Sequence, residues 1–238
     1  ILRMLRIMEA HPRLGLLQAG IALVPGRSRF GRHQRTAARL MGGNFGRGLA
    51  AWSGDAGNYW GHNAIMRTEA FRAALRLPDL SGRAPLGGSI LSHDFVEAAW
   101  IRRAGWAVAL DPDPAGSAED APQTVEAFLR RDRRWCQGNL QHLRLLAEPG
   151  LHPLSRLHLA SGVLGYLVAP LWLLLVVLFA TGAVPAAGRL PLALVVLVLV
   201  LPKFCALGAW WHRARTRRRR WVVVRAWGAQ LSVSTVIA

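Results

Sequence analysis

The sequence has 238 residues, of which 52% are hydrophobic, and it carries a formal net charge of +17. Its two cysteines, Cys136 and Cys205, lie on opposite sides of a boundary between polar and apolar sequence. This excludes a disulfide framework, and no metal-ligand spacing is present. The excess positive charge indicates anionic partners, namely phospholipid head groups, nucleotides or nucleic acid.

Apolar residues and charges are separated along the sequence. Up to about Arg156 the composition is mixed, as in a globular protein, whereas from Leu159 onward it is apolar except for one arginine-rich loop. We therefore predict a cytoplasmic domain over 1–150, an interfacial helix with two transmembrane helices over 151–211, and a basic cytoplasmic loop with the start of another apolar helix over 212–238.

Helical and strand patterns alternate in the first domain. In chain order, we predict a helix over 1–9, a strand over 15–24, a bent helical region over 30–52, a strand over 59–66, a helix over 68–77, a helix over 95–103, a strand over 105–110 and a helix over 124–146, with 78–89 and 111–122 as loops. Alternating strands and helices are typical of an α/β fold.

The apolar part predicts two membrane spans. Residues 151–157 are amphipathic, 159–188 contain no charge, and 190–211 form a second apolar stretch. The arginines of 213–220 follow the second span, so the positive-inside rule places that loop and 1–156 in the cytoplasm. Lys203 lies within the second span, where it either extends its amine toward the cytoplasmic side or lines a polar path.

A cluster of arginines precedes the apolar part. Arg130, Arg131, Arg133 and Arg134 surround Asp132 and are followed by Trp135. Guanidinium groups donate paired hydrogen bonds to phosphate oxygens, and an indole offers a face for stacking a sugar or a base. The alternative is a solvated basic helix face with Trp135 as an interfacial anchor.

Three motifs in order carry a family resemblance. They are Tyr59-Trp60-Gly61-His62-Asn63 with the residues up to Arg67, Ser92-His93-Asp94 with its flanks, and Arg131-x-x-Arg134-Trp135 followed by Cys136-Gln137-Gly138-Asn139. The chain resembles the processive inverting glycosyltransferases of family 2, and within them the bacterial glucosyltransferases that make osmoregulated periplasmic glucans. The resemblance covers nearly the whole chain.

The resemblance implies the C-terminal part of a GT-A-like domain followed by transmembrane helices in a multi-pass protein of the bacterial inner membrane. It also implies transfer of glucose from UDP-glucose to a growing β-glucan that passes to the periplasm. The expected partners are thus UDP-glucose, the glucan acceptor and membrane lipid, with no nucleic acid.

The same resemblance assigns roles to residues. Asp94 would be the catalytic base, although with Glu97 it also resembles a helix-capping pair. Arg134 and Arg131 would bind the diphosphate, the second of them at a position where many relatives carry Gln. Trp135 would support the acceptor sugar, and His62 and Asn63 would line the acceptor pocket.

The metal-binding D-x-D motif of the family has no counterpart in a suitable place. Asp111-Pro112-Asp113 has the right letters but follows the Asp94 helix, so we reject it as a metal site. We expect ligands for Mg²⁺ or Mn²⁺ shortly before Ile1, in a longer protein of which this chain is an inactive fragment. The alternatives are another family 2 polysaccharide synthase, or a non-enzymatic, membrane-anchored binder of anionic lipid or polymer.

Overall fold

A computed structural model of the chain describes residues 1–74, 76–113 and 116–183. Beyond these it describes single positions only, namely Leu201, Phe204, Cys205, Gly208, Trp211, His212, Arg220, Trp221 and Val224. The predicted second span, Lys203 and nearly all of the basic loop therefore lie outside the described residues. The chain divides into two compact units, Ile1–Tyr166 and Leu167–Ala238.

The first unit is a mixed α/β structure. Its helices are α1 (Leu2–Ala10), α2 (Arg29–Ser53), α3 (Thr68–Ala74), α4 (His93–Arg103) and α5 (Val125–Gln141), followed by a 3-10 turn (His142–Arg144) and by α6 (Pro153–Ala180), which continues into the second unit. Its strands are β1 (Leu14–Ala19), β2 (Ala22–Leu23), β3 (Ala64–Met66), β4 (Ala107–Asp111) and β5 (Ala118–Glu119). The predicted α/β class is thus confirmed.

β1 is the middle strand of a three-stranded sheet with the order β3-β1-β4. It pairs antiparallel with β3 and parallel with β4, with Leu16 opposite Met66 on one side and Val108 on the other. Every residue of β1 is buried, which explains its nearly continuous apolar sequence. β2 and β5 form a separate parallel pair.

The core lies where α4 covers this sheet. Val96, Trp100 and Ile101 of α4 pack with Leu16 of β1 and Val108 of β4 in one buried cluster. Residues that follow α5 and residues of α6 complete that cluster, among them Leu145 and Leu159. Packing of this kind fixes the start of α4, which carries Asp94, relative to the sheet.

The predicted helices over 1–9, 95–103 and 124–146 are confirmed to within a few residues, and 30–52 forms the single helix α2 despite its glycines. Two strand predictions and one loop prediction need correction. The chain over 15–24 forms two strands in different sheets, the strand over 59–66 is reduced to β3, and the loop over 111–122 contains β5. Gly61 and Asn63 have positive φ angles of 84° and 52°, which a strand does not accept.

Helix α6 contains Pro170, and its parts Pro153–Val168 and Pro170–Ala180 meet at a bend of 41°. Among the described residues, no single helix has the length and apolar character needed to cross a bilayer. The two parts of α6 together meet those two criteria.

Leu16 gives a test of this core. Because its side chain is fully buried at the centre of the sheet, we expect Leu16→Ala to lower the free energy of unfolding by about 2–5 kcal/mol. Leu143→Ala, at a position with 43% exposure in the 3-10 turn, should change it by less than about 0.5 kcal/mol. Urea titrations followed by tryptophan fluorescence measure both values. Equal losses would contradict the assigned core.

Candidate active site

A cavity of about 990 Å³ opens beside the N-terminus of α4. Its walls come from α2, from the turn over 60–62, from Glu119 of β5, from the first residues of α4 and from α5. We call it the Asp94 cavity. It lies within the first unit, and its size is at the upper end of the range for small-molecule sites, which suits a ligand as large as a nucleotide sugar or a short oligosaccharide.

Asp94 lies in the first turn of α4 and lines the cavity. Its side chain is 24% exposed, and Nδ1 of His93 lies 3.6 Å from Oδ1. Within the part of the chain that the structure describes, no hydrogen bond reaches this carboxylate, so it is open to a ligand that offers a proton.

The capping alternative for Asp94 is not what the structure shows. The N-cap residue of α4 is Ser92, without a capping hydrogen bond from its side chain. Glu97 contacts His93 instead, with Oε1 2.9 Å from Nδ1. Burial raises the pKa of Glu97, and the neighbouring imidazole acts in the opposite direction. His93 is therefore held by Glu97, and Asp94 remains directed to the cavity.

The turn over 60–62 lies directly against Asp94. Gly61 has a φ angle of 84°, and a Cβ atom at this position would lie 3.1 Å from both Cγ and Oδ2 of Asp94. Both the backbone conformation and the space thus require glycine. Next to it, Nε2 of His62 lies 2.9 Å from Oε2 of Glu119, and both side chains line the cavity.

Helix α5 brings two of the predicted arginines, Arg131 and Arg134, and Trp135 to the cavity. The guanidinium carbon of Arg131 lies 4.4 Å from the ring centre of Trp135 and 5.7 Å from that of Phe128. Burial lowers the pKa of Arg131, and its Nε has no hydrogen-bond partner among the described residues. Arg134 also lines the cavity, and Trp135 remains 45% exposed there.

Gly138 permits the contact between α5 and the start of α4. A Cβ atom on Gly138 would lie 2.2 Å from Oγ and 2.5 Å from the backbone nitrogen of Ser92. Because Ser92 is two residues before Asp94, this contact fixes how near the Arg134 and Trp135 helix comes to the carboxylate. Gly138 belongs to the third motif, but the sequence alone did not indicate what this glycine does.

Of the predicted site residues, the structure brings Asp94, Arg131, Arg134, Trp135 and His62 to one cavity. Asn63 does not line it. The carbonyl of Asn63 accepts hydrogen bonds from the backbone nitrogen of Ala19 at 3.0 Å and from Nε2 of Gln18 at 3.3 Å. Sequence reasoning missed Trp60, Glu119 and Asn139 as lining residues. The sequence showed Glu119 only as an acidic residue within a predicted loop, which does not indicate a site.

The carboxylates of Asp111 and Asp113 do not fit a metal. Arg3 donates to both oxygens of Asp111, at 2.8 and 3.0 Å, and to Asp113 at 3.0 Å. A guanidinium in this position occupies the oxygens that a cation would need. Among the described residues, no group of three or more His, Cys, Asp or Glu side chains is arranged to hold a metal ion.

Comparisons with known proteins agree with the motifs. The family described as "Glycosyl transferase family group 2" matches residues 1–211. The chain is 55% identical over 169 residues to "Glucans biosynthesis glucosyltransferase H" of Vibrio cholerae serotype O1, and 54% and 53% identical to proteins of that name from Shewanella sp. (strain ANA-3) and Shewanella baltica. Each match covers 71% of this chain and 23% of the relative, so the chain spans about a quarter of the length of these relatives.

The contact of Gly138 with Ser92 can be tested by comparing two glycine-to-alanine substitutions that should change the free energy of unfolding in opposite directions. Gly138→Ala should lower the free energy of unfolding by about 1–3 kcal/mol, because the added methyl group meets Ser92. Gly48, in α2, has open space around its missing Cβ, so Gly48→Ala should raise that free energy by about 0.5–1 kcal/mol through helix propensity. Urea titration measures both. Stabilisation by Gly138→Ala would mean that α5 and Ser92 are not in contact.

Proposed function

The chain belongs to glycosyl transferase family group 2, and from this premise we propose that the Asp94 cavity forms part of the active site of a membrane-bound inverting glucosyltransferase. The complete enzyme transfers glucose from UDP-glucose to a growing β-glucan. One observation carries the proposal: Asp94 of α4 lines the same cavity as the adjacent residues Arg134 and Trp135 of α5, which lie far from it in the sequence.

Asp94 acts as the general base. The hydroxyl group of the terminal acceptor sugar transfers its proton to the carboxylate while its oxygen attacks the anomeric carbon of the donor glucose. The bond from that carbon to the diphosphate breaks, and UDP leaves from the opposite face, so that the configuration inverts. The exposure of Asp94 to the cavity and the lack of a competing hydrogen bond among the described residues support this role.

Arg134 and Trp135 act on the two substrates. Negative charge grows on the diphosphate as it leaves, and Arg134, which lines the cavity together with Arg131, stabilises that charge. The exposed face of Trp135 supports the acceptor sugar by stacking. His62, paired with Glu119, presents polar atoms that hydrogen bond to sugar hydroxyl groups.

The remaining features of the enzyme are proposed by analogy with the relatives. The fold is the C-terminal part of a GT-A-like domain, and the divalent metal, Mg²⁺ or Mn²⁺, is held by residues outside the described part of this chain. The apolar composition after Leu159 supports anchoring in the bacterial inner membrane, with the Asp94 cavity on the cytoplasmic side and release of the glucan to the periplasm.

The proposal predicts that Asp94→Asn in the complete protein lowers glucose incorporation by about 10²–10⁴-fold, because the amide accepts no proton. Membrane fractions that contain the variant, UDP-[¹⁴C]glucose and acceptor glucan supply the assay. Asp79→Asn, in an exposed loop, is the control and should retain full activity. Unchanged incorporation by Asp94→Asn would refute the proposal and favour the alternative of a basic membrane anchor.

Digestion of the product with linkage-specific glucanases distinguishes a glucan from another polysaccharide.

Two adjacent arginines test the diphosphate role. Both side chains are exposed, but Arg134 lines the cavity and Arg133 does not. We expect Arg134→Ala to lower kcat by about 10²–10³-fold and Arg133→Ala to change it by less than about 2-fold. Steady-state UDP release measures both rates. Equal effects of the two substitutions would show that the positive charge of α5, rather than its placement, is what matters.

A further inference from the structure

Two glutamines are fully buried next to the Asp94 cavity, although neither lines it. Gln18 lies in β1, and Gln141 is the last residue of α5, and each has 0% exposure. A buried primary amide has two donors and an acceptor that need partners. In both residues the amide contacts backbone groups of a segment that is neither helix nor strand.

Gln18 holds the turn that leads from Trp60 to Asn63. Its Oε1 accepts from the backbone nitrogen of Trp60 at 2.9 Å, and its Nε2 donates to the carbonyl of His62 at 3.0 Å. Weaker or local bonds from Nε2 reach Asn63 at 3.3 Å and Ala19 at 2.9 Å. A single side chain therefore supplies the partners that a neighbouring strand supplies elsewhere in the sheet.

Gln141 holds the segment that leads into α4. Its Oε1 accepts from the backbone nitrogen of Leu91 at 2.9 Å, and its Nε2 donates to the carbonyls of Gly87 and Ser89, both at 3.0 Å. The next residue, His142, donates from Nε2 to the carbonyl of Ser92 at 3.0 Å. The end of α5 thus binds the backbone from residue 87 to the N-cap of α4.

Both segments meet at Asp94. The first contains Gly61, where a Cβ atom would contact the carboxyl group, and the second ends two residues before Asp94. We propose that Gln18 and Gln141 are positioning residues that hold the Asp94 carboxylate in place from two sides. The inference rests on the proposed function, because it assigns them to the same base.

The chemistry of the side chain explains why both positions carry glutamine. Each amide satisfies one backbone N–H and two or more carbonyl groups, which requires an acceptor and a donor group on one side chain. Glutamate would retain the acceptor but lose the donors, and methionine would lose both while it fills a similar volume. A change to either residue frees the segment without removing a group from the cavity.

The experiment uses the complete membrane protein with Gln141→Met or Gln18→Met. We expect kcat for glucose transfer to fall by about 10²-fold, because a displacement of the base by an ångström is enough for such a loss. The KM for UDP-glucose should stay within about 2-fold, since the diphosphate residues are untouched. Gln137→Met is the matched control. Gln137 lies on the same helix, is half-buried and does not line the cavity, so kcat should not change.

A double substitution separates positioning from general stability. If Gln141 acts through Asp94, then Gln141→Met should change the residual UDP release of the Asp94→Asn protein by less than about 2-fold. A loss as large as in the unmodified protein would overturn the inference, as would unchanged kcat in both methionine variants. If the Gln141→Met protein does not accumulate in the membrane, the same measurement is made with Gln141→Glu and Gln18→Met, each alone and combined with Asp94→Asn.

The two proposals fail in different ways. Should Asp94→Asn retain the unmodified rate, the proposed function itself is refuted. Should Asp94→Asn be inactive while the glutamine variants transfer glucose normally, only the positioning inference is refuted.

Discussion

The candidate site depends on one close approach, that of Gly138 in α5 to Ser92 at the start of α4. Without a side chain at Gly138, the two helices come together at a distance that a methyl group would prevent. Asp94 lies just after the contact, and Arg134 and Trp135 lie about one turn before it on the other helix. A carboxylate from one helix and a cation with an aromatic ring from the other thus share a cavity, although each belongs to a different segment of the sequence.

The second constraint on this region is that backbone N–H and carbonyl groups near the core need hydrogen-bond partners. The chain over 60–63 and 87–91 runs beside the core without belonging to the sheet or to a helix, so its N–H and carbonyl groups need other partners. Gln18 and Gln141 supply them from elements that are themselves fixed by the core. The sheet and α5 therefore determine the shape of two irregular segments. This arrangement gives each irregular segment fixed hydrogen-bond partners of the kind that a strand has, which a preorganised site requires.

The sequence predicted what depends on local pattern. Periodicity identified α1, α4 and α5 to within a few residues. The motifs predicted Asp94, Arg134 and Trp135 as site residues, and these line one cavity. The failures have a long-range cause. The apolar run over 15–24 gives no sign that β1 pairs with β4 while β2 pairs with β5. The pattern over 59–66 suggests a strand, but the bonds from Gln18 replace strand pairing at its start. Likewise, the contact of Glu119 with His62 joins residues that no local pattern connects.

Arg131 shows how the same geometry bears on ligand affinity. The family resemblance predicts that Arg131, like Arg134, binds the diphosphate. In the structure its guanidinium group stacks on the ring of Trp135. Such a cation–π contact stabilises by about 0.5–2 kcal/mol, and it leaves the edge of the guanidinium free to donate. Burial lowers the pKa of Arg131, whereas the nearby carboxylates of Glu119 and Asp132 act in the opposite direction, and its Nε has no partner among the described residues. The desolvation cost of this cation is therefore only partly offset in the free protein. An anion in the Asp94 cavity relieves that cost. The geometry of Arg131 is therefore consistent with both proposed roles, which are to orient the ring of Trp135 and to favour a negatively charged ligand in the cavity.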